Sequence, residues 1–196
     1  MGQFTAIPEN TFKEMQTEAG VLLKTFDPTT PTLDKTAIIC ATTGGVSATC
    51  VPTYRDNGED IDNCPPNMKE LKEIVSYECR LSFTALGITD ETIRMSLGAA
   101  DAANGKVTPR QTIDQDKDFS DIWWVGDRSD GGMVAVCLKN AMSTDGFSLK
   151  TTKNGKGQLS VNLMGHYSIK DQKAVPMEFY TAEATAETAE PEESEE

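Results

Sequence analysis

Histidine occurs once in this 196-residue chain, at His166, and tryptophan twice; aromatic residues make up 7%. One histidine cannot build a multi-His metal site, and on the polar face of a strand it is a poor triad member. The five cysteines, at 40, 50, 64, 79 and 137, contain no CxxC pair and are widely spaced, so zinc is not expected. They read instead as reduced, structural thiols. No apolar run approaches the ~20 residues of a membrane span. The start, MGQFTAIP, lacks a basic region followed by an apolar stretch, and position 6 is Ala where a myristoylation signal has Ser or Thr. No Asn-X-Ser/Thr sequon occurs. These absences predict synthesis in the cytoplasm and no membrane anchoring.

Positive charge is also scarce. Eighteen Lys/Arg stand against 31 Asp/Glu, for a net charge of −13. Seven of the excess carboxylates belong to residues 181–196, TAEATAETAEPEESEE, which leaves −6 for the first 180 residues. Tight nucleic-acid binding rests on Lys/Arg displacing counterions from phosphate, so this balance argues against it. The Glu-rich end, residues 182–196, reads as a solvated, self-repelling tail.

What the chain does have is period-2 patterning. From 73 to 86, Val75, Tyr77, Cys79, Leu81, Phe83 and Ala85 alternate with polar residues, which predicts a long half-buried strand. A second such strand is expected over 157–169, with Leu159, Val161, Leu163, Tyr167 and Ile169 on its apolar face. Shorter strands are expected at Thr36–Thr42, Asp121–Val125, Met133–Leu138, Phe147–Thr152 and Val175–Thr181. Asn154-Gly155 and Asp130-Gly131-Gly132 are hairpin signals. One helix is expected over about 89–100, capped by Thr89, with Ile93, Leu97 and Ala100 on its buried stripe. A helical turn fits Met68–Glu73. Between them, Thr53–Asn67 is long and polar, and loops of this length are usually functional or disordered. The expected architecture is mainly β: an antiparallel β-sandwich or half-barrel with one flanking α-helix. Residues 1–35 form an N-terminal arm or strand, 36–181 the β domain, and 182–196 the acidic tail.

Catalytic templates fail. There is no Walker A pattern and no GxSxG elbow. Asp114, Asp116 and Asp118 have the first three calcium-loop spacings, but Phe119 stands where the loop needs Gly and Val125 where it needs a bidentate Glu. The chain is therefore read as a non-enzyme, with no catalytic residues, no metal site and no cofactor. In Trp123-Trp124 the rings point to opposite sides, one toward the core and one toward a surface or interface.

The order of the pieces carries a resemblance. Gly44-Gly45-Val46-Ser47-Ala48-Thr49-Cys50-Val51-Pro52 leads into the acidic loop, then Glu70-Leu71-Lys72 and its long strand. Later come Asp121-Ile122-Trp123-Trp124-Val125-Gly126-Asp127, Phe147-Ser148-Leu149, Gly155-Lys156-Gly157-Gln158 and Gly165-His166-Tyr167-Ser168. Across roughly residues 36–181 this resembles the major tail tube proteins of long-tailed (siphovirus-like) bacteriophages and related prophage particles.

The resemblance implies a structural subunit that self-assembles into hexameric rings, stacked as a tube for DNA delivery into the host. DNA would pass through the lumen without tight binding, along an acidic inner wall. The partners implied are further copies of the chain and other tail proteins (tape measure, tail tip, terminator), and the location is the virion tail. A long loop joins stacked rings in that family, which makes Tyr54, Arg55, Asp56, Asn57, Glu59, Asp60 and Asp62 the candidate stacking residues here. Residues 8–28 are a candidate second arm, and Trp123, Trp124 and Tyr167 are candidate interface aromatics. The alternative reading is a monomeric β-sandwich binding module, an adhesin or carbohydrate binder. A third, an enzyme using Cys50 or Cys64, would need His166 beside the thiol.

Overall fold

The computed structural model describes residues 6–183 and is built on ten strands. They are β1 (Val21–Leu23), β2 (Thr42–Asp56), β3 (Lys72–Ala85), β4 (Ala100–Ala103), β5 (Lys106–Pro109), β6 (Ser120–Asp127), β7 (Met133–Ser143), β8 (Ser148–Lys150), β9 (Gln158–Met164) and β10 (Met177–Ala182). Two short helices, α1 (Thr11–Glu14) and α2 (Asp90–Leu97), complete the ordered elements with two single-turn 3-10 segments. Among the described residues every ladder is antiparallel. The fold is mainly β with a flanking helix.

The main sheet runs β1-β6-β7-β9-β3-β2, with β10 added to β7 and β8 added to β9. It folds over itself at β7. The first half of that strand pairs with β6 and β10, and only Met142 and Ser143 at its end pair with β9. The bend has a local cause. The β6–β7 register shifts between Ser120 and Ile122, so that Lys139 and Asn140 together oppose Asp121, and Asn140 takes φ 47°. Asparagine tolerates this left-handed region better than most residues.

Folding the sheet over brings Leu22, Ile122, Val136, Leu138 and Met177 from one half against Leu81, Phe83, Leu159, Val161 and Leu163 from the other. The first half is buried on its second face as well. Leu23, Trp123, Ala135 and Cys137 point there and are covered by Phe26, Ala37 and Ile38. Burial on both faces explains why Met133–Leu138 is apolar at every position, whereas β3 and β9 alternate.

Several expectations change. The segment Thr36–Thr42 is not a strand but a 3-10 turn, Lys35–Ala37, capped by Asp34, followed by an extended lead into β2. Strand β9 ends at Met164, because Gly165 packs against Leu138 and Pro176 and the chain turns there. Tyr167 and Ile169 consequently leave the apolar face, and Ile169 is 90% exposed.

The expected helix is present but shorter. Thr89 caps it, with Thr92 bonding reciprocally, and Gly98 at φ 76° ends it. A Cβ at Gly98 would lie 2.8 Å from the Ser143 carbonyl oxygen, so this close approach requires glycine. Thr92 and Ser96 face the sheet rather than Ile93 and Leu97. Ala100, expected on the helical stripe, belongs to β4.

The N-terminal region is not a free arm. Leu22 and Leu23 are 1% exposed, and β1 lies antiparallel on β6 with Val21 opposite Val125. All of the Glu-rich tail beyond residue 183 lies outside the described residues.

Candidate assembly surfaces

Strands β2 and β3 form a hairpin longer than the sheet that supports it. They pair from Thr42↔Ala85 to Asp56↔Lys72, whereas β9 flanks β3 only over Arg80–Ala85. The far half, residues 51–56 against 72–78, is therefore a two-stranded ribbon beyond β9, with Tyr77 at its base still packed on the core. Isolated two-stranded ribbons are marginal in water, so this one draws its rigidity from continuity with the body and from local bonds.

Those bonds are concentrated at the tip. Asp56 accepts the Gly58 N–H on one carboxylate oxygen at 2.9 Å and the Asn67 N–H on the other at 2.8 Å. These amide donors hold its carboxyl below the usual aspartate range. Arg55 meets Glu73 at 2.6 Å, and Asn57 Nδ2 donates to the same Glu73 oxygen at 3.3 Å. The Arg55 contact first, then Asn57, lowers the Glu73 carboxyl too. Gly58 is buried against Leu71 and Cys64.

What the sequence presents as the loop Thr53–Asn67 is thus half strand. Tyr54, Arg55 and Asp56 belong to β2, while Asn57, Glu59, Asp60 and Asp62 form the turn beyond it, all four exposed. Arg55, Asp56 and Asn57 hold the tip together. Glu59, Asp60 and Asp62 are left facing outward.

The ribbon is apolar where a solvated arm would be polar. Val51, Tyr54, Ile74 and Val75 are 46–58% exposed, and Ile61 at the tip is 52% exposed. Tyr54 sits opposite Ile74 and two positions beyond Pro52, on the side that carries Cys50 into the core. The core face of the sheet therefore continues past the body, where the Lys72 ammonium lies 5.5 Å from the Tyr54 ring centroid and the apolar side chains stay exposed among the described residues. The sequence pattern showed Val75 and Tyr77 as core-facing; Val75 falls at a register irregularity in the ribbon and is exposed.

The opposite face of β2, β3 and β9 is open and polar. Ser47, Ser82, Thr84, Ser160 and Asn162 line a shallow concavity there with Gly44 and Gly45, whose positive φ values mark the register break between Thr43 and Val46. Higher on β3 the Glu78–Arg80 pair, at 2.6 Å, balances its own charge. This face is hydroxyl-rich, and Arg80 also lies 3.8 Å from Asp145.

Trp123 is not available as an interface aromatic. It is 8% exposed, wedged between Phe26 and Tyr180 at centroid distances of 5.6 and 5.4 Å. Trp124, on the other side as expected, donates its indole N–H to the Ala19 carbonyl at 3.0 Å and is covered in part by the N-terminal segment. Tyr167 is 39% exposed, and its hydroxyl accepts the Tyr77 N–H at the base of the ribbon. Among the three, Tyr167 alone stays largely accessible.

The remaining candidates take structural roles. His166 Nδ1 lies 3.1 Å from the Asn140 carbonyl oxygen, and its ring meets Phe119 edge-on. Within the acidic triplet, Asp118 accepts Arg110 at 2.6 Å and the Asp114 N–H at 2.8 Å, while Asp114 accepts the Asp116 N–H at 3.1 Å. These carboxylates close a turn on themselves. Among the described residues no group of three or more His, Cys, Asp or Glu is placed to hold a metal, and no helix is long and apolar enough to cross a membrane.

No protein-family model matches the chain, and no curated protein matches it.

Proposed function

We propose that this chain is a self-assembling structural subunit whose copies form stacked rings, the tail tube of a long-tailed bacteriophage or of a related particle. The observation that supports it most is the β2–β3 ribbon beyond Cys50 and Cys79, held by local bonds at its tip and exposing Tyr54, Ile74 and Val75 among the described residues. Exposed apolar surface on an ordered element marks a contact with another molecule. The sheet supplies a second reason. Among the described residues strand β2 ends the main sheet with one edge unpaired along its 15 residues, and closing sheets around a ring removes such edges.

The hydroxyl-rich face of β2, β3 and β9 suits the wall of a DNA conduit. Serine, threonine and asparagine offer phosphate no cationic anchor, so DNA can slide past without adsorbing. In this reading the subunit acts in the virion tail, its partners being its own copies and neighbouring tail proteins, and it performs no catalysis.

Deleting Asn57–Asp62 tests the stacking role. The variant should keep the far-UV circular dichroism of the parent and lose the ability to stack. Long tubes from the deletion variant would show that the tip does not join rings.

A further inference from the structure

The two ends of the β2-β3-β9 sheet differ in charge. Strand β9 pairs antiparallel with β3 such that Ala85 faces Leu159, so the β8–β9 turn lies at the end of the sheet away from the ribbon tip. A strand of 14 residues spans about 45 Å at ~3.3 Å per residue, so the two ends are well separated. At the tip, residues 55–73 hold six carboxylates against three bases. At the other end, residues 150–156 hold Lys150, Lys153 and Lys156 and no acid, with all three lysines exposed. Glu91, three residues after Ile88, is held by Lys24 at 2.7 Å, and Asp145, two residues before Phe147, lies 3.8 Å from Arg80.

Both ends also carry apolar surface. Phe147, Leu149 and Ile88 are 41–43% exposed beside the lysine turn. Leu149 stands opposite the buried Leu159, and Ile88 lies against Gly157. At the tip, Ile61 and Met68 are exposed between the carboxylates. Each end thus presents apolar side chains within an excess of one sign of charge, and the signs are opposite.

We infer that the lysine turn, with Phe147, Leu149 and Ile88, is the socket that receives the acidic β2–β3 tip of a second copy of this chain. The inference rests on the self-assembly reading and adds the acceptor to it. Because donor and acceptor lie at opposite ends of one subunit, the contact is head-to-tail and does not close, so it propagates along the strand direction. Opposite charges at the rim of such a contact fix its polarity and reject tip against tip.

Charge reversal tests it. Sedimentation velocity at low and high salt would compare the parent chain, a turn variant (Lys150→Glu, Lys153→Glu, Lys156→Glu), a tip variant (Glu59→Lys, Asp60→Lys, Asp62→Lys) and an equimolar mixture of the two. All six positions are exposed, and circular dichroism would verify that each variant is folded. The expected result is head-to-tail association of the parent that weakens with salt, loss of at least tenfold in affinity in either variant alone, and recovery in the mixture. A parent chain that stays monomeric at both salt concentrations would overturn the inference. So would a turn variant that loses association while the tip variant keeps it, since the lysines would then be meeting another acidic segment such as residues 183–196. Rings or tubes that ignore both reversals would sink the socket and leave the tube reading standing. Charge-dependent chains of subunits with no rings would do the reverse.

Discussion

Cys50 and Cys79 face each other across the β2–β3 ladder with their sulfur atoms 3.3 Å apart, at the level where the ribbon leaves the body. On the tip side of this pair β3 has lost its β9 neighbour; toward Ala85 its apolar side chains are core. Burial first, then the neighbouring Cys50 thiol, pushes the Cys79 thiol up to about 12, and burial does the same to Cys137. Thiols so placed are poor nucleophiles at neutral pH. Alkylation of the native protein at pH 8 should leave Cys79 and Cys137 unmodified, and both should react once urea unfolds the chain. Rapid native labelling of Cys137 would contradict its burial beside Trp123 under Phe26, Ala37 and Ile38.

The centre of the core gives the largest stability effect. Leu81 and Leu163 are cross-strand partners, 0% and 2% exposed. An unpaired carboxylate at either position costs several kcal/mol or more, so Leu81→Asp or Leu163→Asp should abolish the folded state at room temperature. Alanine at the same sites should cost about 2–5 kcal/mol. Urea melts followed by circular dichroism would measure both. A Leu81→Asp variant as stable as the parent would mean that the two halves of the sheet do not close over this pair.

The bend in β7 makes a separate prediction. Asn140 holds φ 47°, donates from Nδ2 to the His166 carbonyl at 3.0 Å and from its backbone N–H to the Asp121 carboxylate at 3.0 Å, and its carbonyl oxygen lies 3.1 Å from His166 Nδ1. Asn140→Gly keeps the backbone conformation and loses one hydrogen bond, for roughly 1 kcal/mol. Asn140→Val adds a β-branched side chain in a conformation it strongly disfavours and should cost more, by about 1–2 kcal/mol. Thermal melts of the pair should rank Val below Gly. The reverse order would show that the bend is not held by this residue.

Acid should loosen the ribbon tip. Asp56 and Glu73 have carboxyls lowered from ordinary values of 3.8 and 4.5, by amide donors and by Arg55 respectively. A lowered folded-state value means stability that is present above the unfolded value and lost as pH falls through the folded one. The tip contacts should therefore hold at pH 5 and above and fail progressively below about pH 4. Hydrogen exchange at the Gly58 and Asn67 amides, corrected for its intrinsic pH dependence, should show protection that falls over that range. Protection that does not change down to pH 2 would mean these amides do not depend on Asp56.

The alternating strands were legible in the sequence because one of their faces is buried and the other open. Cys79, Leu81, Phe83, Leu159, Val161 and Leu163 all fall where the period-2 pattern places them. The hairpin at Asp130-Gly131-Gly132 and the Thr89 cap were legible for the same local reasons. Features decided by tertiary packing were not. Tyr77 follows the pattern and packs on the core, but Val75 continues the pattern of β3 beyond the body, so pattern alone could not separate ribbon from core. Leu22 and Leu23 are too short a run to announce a strand buried on both faces. Trp123 could not be distinguished from an interface aromatic until Phe26 and Tyr180 were seen on either side of it. In the ribbon, the signal available was Tyr54 and Ile74 at matching distances from the polar turn, each an apolar residue in a charged stretch.

Negative-stain electron microscopy of the purified protein at high concentration, with light scattering on the same sample, tests the self-assembly account most directly. Stacked rings or hollow tubes are the predicted result. A protein that remains monomeric even when seeded with tail-tip complexes would contradict it, and would favour a β-sandwich module that binds some other molecule through the same exposed ribbon.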